Sequence, residues 1–279
     1  MQIKQTSWLA PAKINRFLHI TGQRSDGYHQ LQTVFQFLDY ADELRFTILE
    51  HNEISHNNPL PGVAPEDDLT IRAARLLQEK TQCTLGVQIS ITKRLPMGGG
   101  LGGGSSDAAT TLVALNKLWN LHLEKNQLAQ LGVQLGADVP VFINGVAAWA
   151  EGVGEQLTTI DLDEPWFVVL IPSVSVSTAE IFSHSELTRD CQPITINDFL
   201  NGEGGNVCEA IVCQLYPEVA QAINWLNQFA PARMTGTGAC VFAAVASEQQ
   251  AKQILAKKGV ELSGFIAQGK NISPLYSEC

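Results

Sequence analysis

A glycine-rich run at residues 98–104 is the part of this 279-residue chain best suited to chemistry. Six of its seven positions are glycine, and Ser105 and Ser106 follow directly. Glycine allows positive φ angles and close approach of backbone N–H groups to a ligand, and a helix starting here would add unpaired N–H donors. The run therefore predicts a phosphate-binding loop. The two serine hydroxyls can cap the helix, contact a phosphate oxygen or hold a magnesium ion.

Three other interpretations of the glycine run compete with a phosphate-binding loop. A Walker A loop is excluded, because the run has no lysine before the serines. A dinucleotide-binding fingerprint matches by letter at Gly98, Gly100 and Gly103, with Glu124 about twenty residues further on. That match is weak, since a run so rich in glycine satisfies the spacing by chance. A loop without a ligand is the third interpretation, although six flexible residues cost conformational entropy that a plain connection would avoid.

Three further polar residues are candidates for chemistry. Lys13 and Asn15 are two residues apart in the predicted strand Ala12–Ile20, so their side chains lie on the same face. Asp138 precedes Pro140, where a carboxylate can either cap a helix or accept a proton from a substrate. The residues alone leave both roles of Asp138 open.

The elements that position these residues follow from hydrophobic periodicity and turn signals. An α+β arrangement is predicted, with a domain boundary near Leu162, giving domains over residues 1–162 and 163–279. The predicted strands are 12–20, 31–38, 44–49, 86–92, 166–171, 239–246 and 265–269, and the predicted helices are 69–80, 105–120, 124–135, 177–182, 207–215, 218–229 and 248–257. A loop is predicted over 51–67.

The composition of the chain argues against several classes of protein. With 45% hydrophobic and 16% charged residues, the chain is expected to be globular rather than disordered. A net charge of −10 argues against a protein that neutralises many nucleic-acid phosphates. No apolar stretch reaches the roughly 20 residues of a membrane span, and Met1–Trp8, with Lys4, lacks the core of a signal peptide. Six scattered cysteines, the last being Cys279, suit a reducing compartment, and zinc binding by Cys208 and Cys213 is a weak alternative.

Four segments in order resemble the GHMP kinases, whose phosphate loop runs Pro-x-x-x-Gly-Leu-Gly-Ser-Ser-Ala-Ala. Residues 96–109 keep the proline, the Gly-Leu-Gly, the paired serines and the two alanines, with extra glycines and Asp107 inserted. The other segments are residues 11–15 followed by 22–29, residues 136–140 and residues 235–240. The resemblance extends from Trp8 to the last predicted strand.

The resemblance implies a two-domain α+β GHMP kinase fold. Its N-terminal domain would be of the ribosomal protein S5 domain 2-like type and its C-terminal domain ferredoxin-like, with the active site in the cleft between them. ATP and Mg²⁺ are the implied cofactors. The variant glycine loop is similar to that of the branch that phosphorylates the 2-hydroxyl of 4-diphosphocytidyl-2-C-methyl-D-erythritol, in the non-mevalonate route to isoprenoid precursors. The partners implied are small molecules, without nucleic acid or membrane, for a cytoplasmic monomer or weak homodimer.

Residue roles also follow from the resemblance. It implies that Asp138 accepts the proton of the substrate hydroxyl, and that Lys13 keeps Asp138 ionised while attracting phosphate. Tyr28 and Phe182 would stack on the two faces of cytosine, and His29 would hydrogen-bond its edge. The implied substrate-binding residues are Asn15, Tyr28, His29, Asp138, Thr178 and Phe182. The implied ATP-binding residues are Pro96, Met97, Gly98, Gly99, Gly100, Leu101, Gly102, Gly103, Gly104, Ser105 and Ser106.

Some neighbouring residues keep two interpretations. The segment 235–238 can be a tight turn or can approach the transferred phosphate, and Lys93 and Arg94 can strengthen the positive field near ATP or be solvated. Asp68 stands where the family often has asparagine, near the implied adenine site. An ionised acid accepts but cannot donate a hydrogen bond, so the adenine contact at that position is in question.

The rival functions come from three classes. Another GHMP kinase, acting on mevalonate or homoserine, is disfavoured by Tyr28, His29 and Phe182 together with the expanded glycine run. A nucleotide-binding regulator without turnover is disfavoured by the presence of both Lys13 and Asp138. An NAD-binding oxidoreductase would quench nicotinamide fluorescence on binding, which a kinase should not.

Overall fold

A computed structural model describes residues 6–277; Lys4 and Cys279, considered above, lie outside this range. The strands are β1 (Thr6–Gln23), β2 (His29–Leu49), β3 (Ile54–His56), β4 (Gly86–Thr92), β5 (Ala148–Glu151), β6 (Gln156–Thr159), β7 (Trp166–Ile171), β8 (Ala232–Met234), β9 (Val241–Val245) and β10 (Ser263–Lys270). The helices are α1 (Leu69–Thr81), α2 (Gly103–Leu118), α3 (Lys125–Val133), α4 (Val139–Asn144), α5 (Thr178–Ser183), α6 (Ile196–Leu200), α7 (Glu209–Leu215), α8 (Pro217–Leu226) and α9 (Glu248–Leu255), with a final 3₁₀ turn at Pro274–Tyr276.

One connected sheet runs through both halves of the described chain. The strand order is β3-β4-β2-β10-β7-β9-β8, while β1 pairs with β2, and β5 joins β2 to β6. The two halves meet where β10 pairs antiparallel with β2, at Gly269 with Leu38 and Lys270 with Phe37. The boundary predicted near Leu162 falls in the connection between β6 and β7, where Leu162 is buried. That boundary stays a prediction.

Helices cover the sheet in two separate apolar clusters. In the first half, α1, α2 and α4 pack their buried faces against the inward residues of β1, β2 and β4, such as Phe37, Leu44 and Phe46. In the second half, α7, α8 and α9 pack against β7 and β9. Leu18 and Ile20, at the far end of β1, belong to the second cluster. The long strand β1 therefore connects the two halves, and residues on it can face the space between them.

The structure differs from the predicted elements at β2 and in the loop that follows it. The sequence predicts two strands at 31–38 and 44–49, but β2 is continuous. Three of the intervening residues, Ala41, Asp42 and Glu43, stay paired with β1. The predicted loop 51–67 contains the short strand β3, which pairs parallel with β4. Polar residues at both places predicted an interruption of the strand or a loop, whereas pairing with a neighbouring strand keeps the backbone extended there.

Helix α1 begins as predicted, since the Asp68 carboxylate accepts hydrogen bonds from the Thr70 and Ile71 N–H groups. Helix α2 begins at Gly103, two residues before the predicted start, with Gly102 at its N-cap in the left-handed region. Helix α4, directly after Asp138, had not been predicted. Within residues 6–277, no helix combines the length and apolarity that a bilayer crossing requires.

Candidate active site

A cavity of about 920 Å³ lies between the two halves of the molecule. The glycine loop, β1, the start of β2, helix α5 and the turn 236–238 form its walls. Of the candidate catalytic, substrate-binding and ATP-binding residues, those lining it are Lys13, Asn15, Tyr28, His29, Pro96, Met97, Gly98, Gly99, Gly100, Gly102, Gly103, Gly104, Ser105, Asp138, Thr178 and Phe182. Segments far apart in sequence therefore meet around one space.

Leu101 and Ser106 are the two candidate residues that do not line the cavity within the described part of the chain. Leu101 is buried in the apolar cluster at the junction of the halves. Ser106 is fully buried, and its hydroxyl has no hydrogen-bond partner among residues 6–277. Their side chains thus point into the protein, so any contact of this part of the loop with a ligand is through the backbone.

The glycine loop is held from behind by its carbonyl groups. The Gly99 carbonyl accepts from the Cys240 N–H at 3.1 Å, and the Leu101 carbonyl accepts from the Lys13 N–H at 3.0 Å. Gly100 has φ +76°, and a Cβ there would lie 2.3 Å from the Thr235 carbonyl oxygen. Only glycine fits such a position. The loop is thus fixed against the second half of the chain as well as against β1.

The first turn of α2 faces the cavity with unused donors. The N–H groups of Gly103, Gly104 and Ser105 have no acceptor anywhere in the range 6–277. They lie at the positive end of a sixteen-residue helix, where unpaired donors and the helix dipole favour an anion. This geometry suits a phosphate group.

Lys13 and Asp138 form an ion pair beside this loop. Lys13 Nζ lies 3.2 Å from Asp138 Oδ2 and donates to Asn15 Oδ1 at 2.6 Å and to the Gly100 carbonyl at 3.0 Å. Lys13 is 3% exposed, whereas the Asp138 side chain is 36% exposed. The buried cation is therefore fixed, and the carboxylate it holds remains open to a ligand.

The role of Asp138 as a helix cap is not supported by the geometry. Asp138 occupies the N-cap position of α4, yet its side chain caps no backbone N–H within the described range. Its interaction is with Lys13 instead. The carboxylate therefore remains open to the cavity, which it lines.

A second polar group lies behind the loop, and sequence reasoning missed one of its members, Asp42. Lys93 Nζ is in hydrogen-bond contact with Asp42 Oδ2 and with Asp107 Oδ2. The Asp42 carboxylate also accepts from the Arg94 and Leu95 N–H groups, which fixes the approach to the loop. Asp42 could have been found from the sequence, because residues two apart in a strand point to the same face, and this places Asp42 on the apolar face of the core residue Leu44.

The contacts of this group also show how Lys93 and Arg94, the two basic residues before the loop, are placed. Lys93 lines the cavity, but two carboxylates balance its charge, while Arg94 is exposed. Burial is the largest single influence on the pKa of Lys93 and acts to lower it. The two carboxylates together outweigh burial, so the pKa is raised. Burial raises the pKa of Asp107 to about 7, helped by the nearby Asp42 and opposed by Lys93. The site therefore offers less net positive charge than the two basic residues suggested.

Asp68 has both carboxylate oxygens engaged by the protein. Oδ1 accepts from the Thr70 N–H and hydroxyl at 2.8 and 2.6 Å, and Oδ2 lies 3.0 Å from His56 Nε2. Although burial acts to raise it, the pKa of Asp68 is lowered to about 2 by hydrogen bonds from His56 and Thr70. Asp68 is thus an ionised acceptor that serves to hold α1 and β3 together.

Aromatic residues form the opposite end of the cavity. The rings of His29 and Phe182 stack with centroids 5.1 Å apart and an angle of 22° between their planes. Tyr28, directly before His29, is 65% exposed. The predicted placement of Tyr28 and Phe182 around a base is compatible with this arrangement, in which Phe182 already contacts His29.

Thr178 and the turn 235–238 complete the wall between the two ends. Ser177, rather than Thr178, caps α5, by accepting from the Glu180 N–H. The Thr178 hydroxyl instead lies 2.9 Å from the Thr237 hydroxyl. The segment 235–238 is a tight turn, in which the Gly238 N–H donates to the Thr235 carbonyl, and its residues 236–238 also line the cavity.

The residues named for zinc do not form a metal centre in the described range. No group of three or more His, Cys, Asp or Glu side chains in residues 6–277 is placed to hold a metal ion. Cys208 is buried, which raises the pKa of its thiol to about 12. The weak zinc hypothesis is therefore not supported.

Comparisons with known proteins agree with this geometry. The family profile for the GHMP kinases N terminal domain matches residues 68–146, and the one for the GHMP kinases C terminal matches residues 194–257. The 4-diphosphocytidyl-2-C-methyl-D-erythritol kinase of Nitrosococcus oceani is 60% identical over 96% of both chains, and that of Pseudomonas syringae pv. syringae is 56% identical over 96% of this chain and 95% of the relative. A crystal structure of 4-(cytidine 5'-diphospho)-2C-methyl-D-erythritol kinase superposes with a TM-score of 0.82 at 30% identity, covering 95% of this chain and 99% of the other. A mevalonate kinase structure, at 15% identity and a TM-score of 0.68 with coverage of 96% and 99%, shares the fold.

Proposed function

Since the chain belongs to the GHMP kinase family and is an ATP-dependent small-molecule kinase, we propose that it transfers the γ-phosphate of ATP to the 2-hydroxyl of 4-diphosphocytidyl-2-C-methyl-D-erythritol. The products are ADP and the 2-phosphate. The observation that carries the residue assignments is the ion pair of Lys13 with Asp138 beside the glycine loop, in the same cavity as the aromatic residues around His29.

At the phosphate end, the free N–H groups of Gly103, Gly104 and Ser105 would bind oxygens of the triphosphate. Lys13 Nζ, fixed by Asn15 and the Gly100 carbonyl, supplies positive charge next to the transferred group. Positioning and electrostatics of this kind account for most of the catalysis in phosphoryl transfer.

Asp138 would accept the proton of the 2-hydroxyl as that oxygen attacks the γ-phosphorus. The P–O bond to the attacking oxygen forms, the bond to the ADP oxygen breaks, and the proton ends on the Asp138 carboxylate. Lys13 Nζ lies 3.2 Å from this carboxylate and would hold it in place for the transfer. A general base of this type contributes about 10² to 10⁴ in rate.

Mg²⁺ would accompany ATP. The ion prefers oxygen ligands and usually keeps waters and phosphates with only one or two protein groups. Ser105 and Asp138 supply oxygens to the cavity next to the unpaired N–H groups, so the donor set fits such an ion. When bound, it would neutralise charge on the phosphates.

At the base end, we propose that Tyr28 and Phe182 stack on the cytosine ring and that His29 hydrogen-bonds its edge. Stacking contributes about 1 to 3 kcal/mol per base in nucleic-acid sites, enough to set affinity. Asn15 and Thr178 lie on the walls between the two ends, where the methylerythritol portion would pass.

The proposal also includes the domain division, the cellular location and the oligomeric state. The two-domain division at residue 162, a cytoplasmic location and a monomer or weak homodimer are the states expected for this kinase. The five described cysteines are free thiols, which suits a reducing compartment.

The test is a substrate panel. Purified protein is incubated with ATP and Mg²⁺ and, in separate reactions, with 4-diphosphocytidyl-2-C-methyl-D-erythritol, mevalonate, homoserine or galactose. ADP release is measured, and phosphorus NMR locates the new phosphate. We expect turnover with the cytidyl compound and phosphate on its 2-oxygen; turnover only with one of the other alcohols would overturn the substrate.

A further inference from the structure

Arg189 is anchored behind the base end of the cavity by four hydrogen bonds. It follows α5, outside the segments that the sequence singled out. Nη2 donates to the carbonyl groups of Phe182 and His184 at 2.8 and 2.9 Å, and Nη1 donates to the Leu187 carbonyl at 3.0 Å. Nε donates to His29 Nε2 at 3.1 Å. The guanidinium therefore joins the histidine ring to the backbone of the aromatic residue stacked on it.

This contact determines the protonation of His29. A guanidinium only donates hydrogen bonds, so the nitrogen it contacts must carry a lone pair. His29 Nε2 is therefore unprotonated, and the proton of the neutral ring is on Nδ1. Within residues 6–277 no protein acceptor contacts Nδ1, and the ring lines the cavity. Nδ1 is left as a donor for a ligand.

The surroundings of His29 favour the neutral ring. Burial, followed by the positive charge of Arg189, lowers the pKa of His29. From β1, the uncharged Gln23 is paired with His29. In the turn before it, Arg24 and Asp26 form an exposed ion pair at 2.8 Å, and α5 contributes the Phe182 ring. None of these neighbours competes with Arg189 for Nε2.

We propose that Arg189 is a positioning residue for the substrate base, because it holds His29 as the neutral tautomer with its proton on Nδ1. His29 can then only donate to the ligand, and it selects a base edge that presents an acceptor. Cytosine presents two adjacent acceptors, N3 and O2, whereas uracil presents a donor at N3. The identity of the base rests on the proposed function, while the tautomer rests on this chain's own contacts.

The kinetic test uses Arg189→Met, with Arg45→Met, an exposed arginine paired with Glu43, as the matched control. At about pH 8 the Arg189 variant should raise KM for the cytidyl substrate about tenfold, the effect of one lost hydrogen bond. Its kcat and KM for ATP should change less than about twofold. In a His29→Ala background, adding Arg189→Met should give no further increase.

A pH profile separates this role from a merely structural one. Without Arg189, the neutral ring can place its proton on Nε2, but protonation near the ordinary histidine pKa of about 6.5 restores a proton on Nδ1. The ratio of variant to wild-type KM should therefore fall as the pH is lowered from about 8 to about 5.5. A ratio that stays constant or rises would show that Arg189 only supports the loop, and would overturn the proposal.

Nitrogen NMR of the substrate-free protein tests the tautomer directly. Long-range ¹H–¹⁵N correlations report which ring nitrogen carries the proton, and the His29 signals are those missing from His29→Ala. We expect Nδ1 to be protonated and Nε2 bare in the wild type; a protonated Nε2 would overturn the inference. Because this measurement needs no substrate, failure of the proposed reaction and failure of the tautomer assignment give different results.

Discussion

The two ends of the cavity differ in how deeply their side chains are buried and in how many parts of the fold hold them. At the phosphate end, Lys13 is 3% exposed and its ammonium contacts β1, the glycine loop and Asp138. At the base end, Tyr28 is 65% exposed and follows a surface turn. The phosphate end is therefore held by contacts among distant parts of the fold, whereas the base end includes a mostly exposed side chain next to a surface turn. Changes at the first should therefore affect turnover and stability, and changes at the second mainly affinity.

The largest expected effect is that of Asp138→Asn at the phosphate end. The amide cannot accept the hydroxyl proton but keeps the size of the side chain, so kcat should fall by about 10² to 10⁴ while KM for ATP changes little. Steady-state ADP release measures both. The exposed Asp163→Asn is the control and should retain wild-type kcat. Full turnover by the Asp138 variant would remove its assignment as the base.

Gly100→Ala should have the next largest effect. The added Cβ would lie 2.3 Å from the Thr235 carbonyl oxygen at a φ of +76°, so the loop must shift. A displacement of this kind can cost about 100-fold in rate, and we expect a loss of about 1 to 3 kcal/mol in the free energy of unfolding. Kinetics and thermal unfolding measure the two losses. Gly205→Ala, where a Cβ meets nothing within 4 Å, is the matched control.

Tyr28→Ala examines the base end. Loss of one stacking partner should raise KM for the cytidyl substrate about tenfold, with no change in KM for ATP or in the melting temperature, since the ring is mostly exposed. Tyr28→Phe keeps the ring and should behave like the wild type. A lower melting temperature for Tyr28→Ala would mean that the base end contributes to the stability of the fold as the phosphate end does, and would contradict this prediction.

The smallest effect is expected in the buried carboxylates behind the loop. Burial raises the pKa of Asp107 from 3.8 to about 7, so the folded state binds a proton that the unfolded chain has released. This contribution to stability is full below pH 3.8 and is lost as the pH rises towards about 7. The asparagine side chain in Asp107→Asn is neutral at every pH, so this variant should not lose stability in this way as the pH rises.

The melting temperature of Asp107→Asn relative to wild type should thus increase by a few degrees between about pH 5 and about pH 8. Thermal unfolding followed by circular dichroism at both pH values measures it, with the exposed Asp161→Asn as control. A relative melting temperature that is independent of pH, or that decreases, would show that Asp107 is ionised in the folded state throughout this range.

Most of the local structure could be predicted because it depends on neighbours in sequence. Helix α1 begins at Leu69 as predicted, since the cap that Asp68 supplies to N–H groups two and three residues later needs no other part of the chain. The continuity of β2 could not be predicted, because Asp42 and Glu43 in its middle are retained in the strand by pairing with β1. Likewise, Arg189 gave no signal, as its partner His29 is 160 positions away.

By itself, the sequence predicted a phosphate-binding loop from six glycines before a helix start. It also determined that Lys13 and Asn15 share a face of β1 and that the chain resembles the GHMP kinases. The tertiary structure decided that Lys13 meets Asp138, that Lys93 is balanced by Asp42 and Asp107, and that Arg189 holds His29. The physical reason is that spacing along the chain fixes backbone geometry and side-chain direction over a few residues. Which distant groups come within a few ångströms depends on the pairing of β10 with β2 and the packing of helices on the joined sheet.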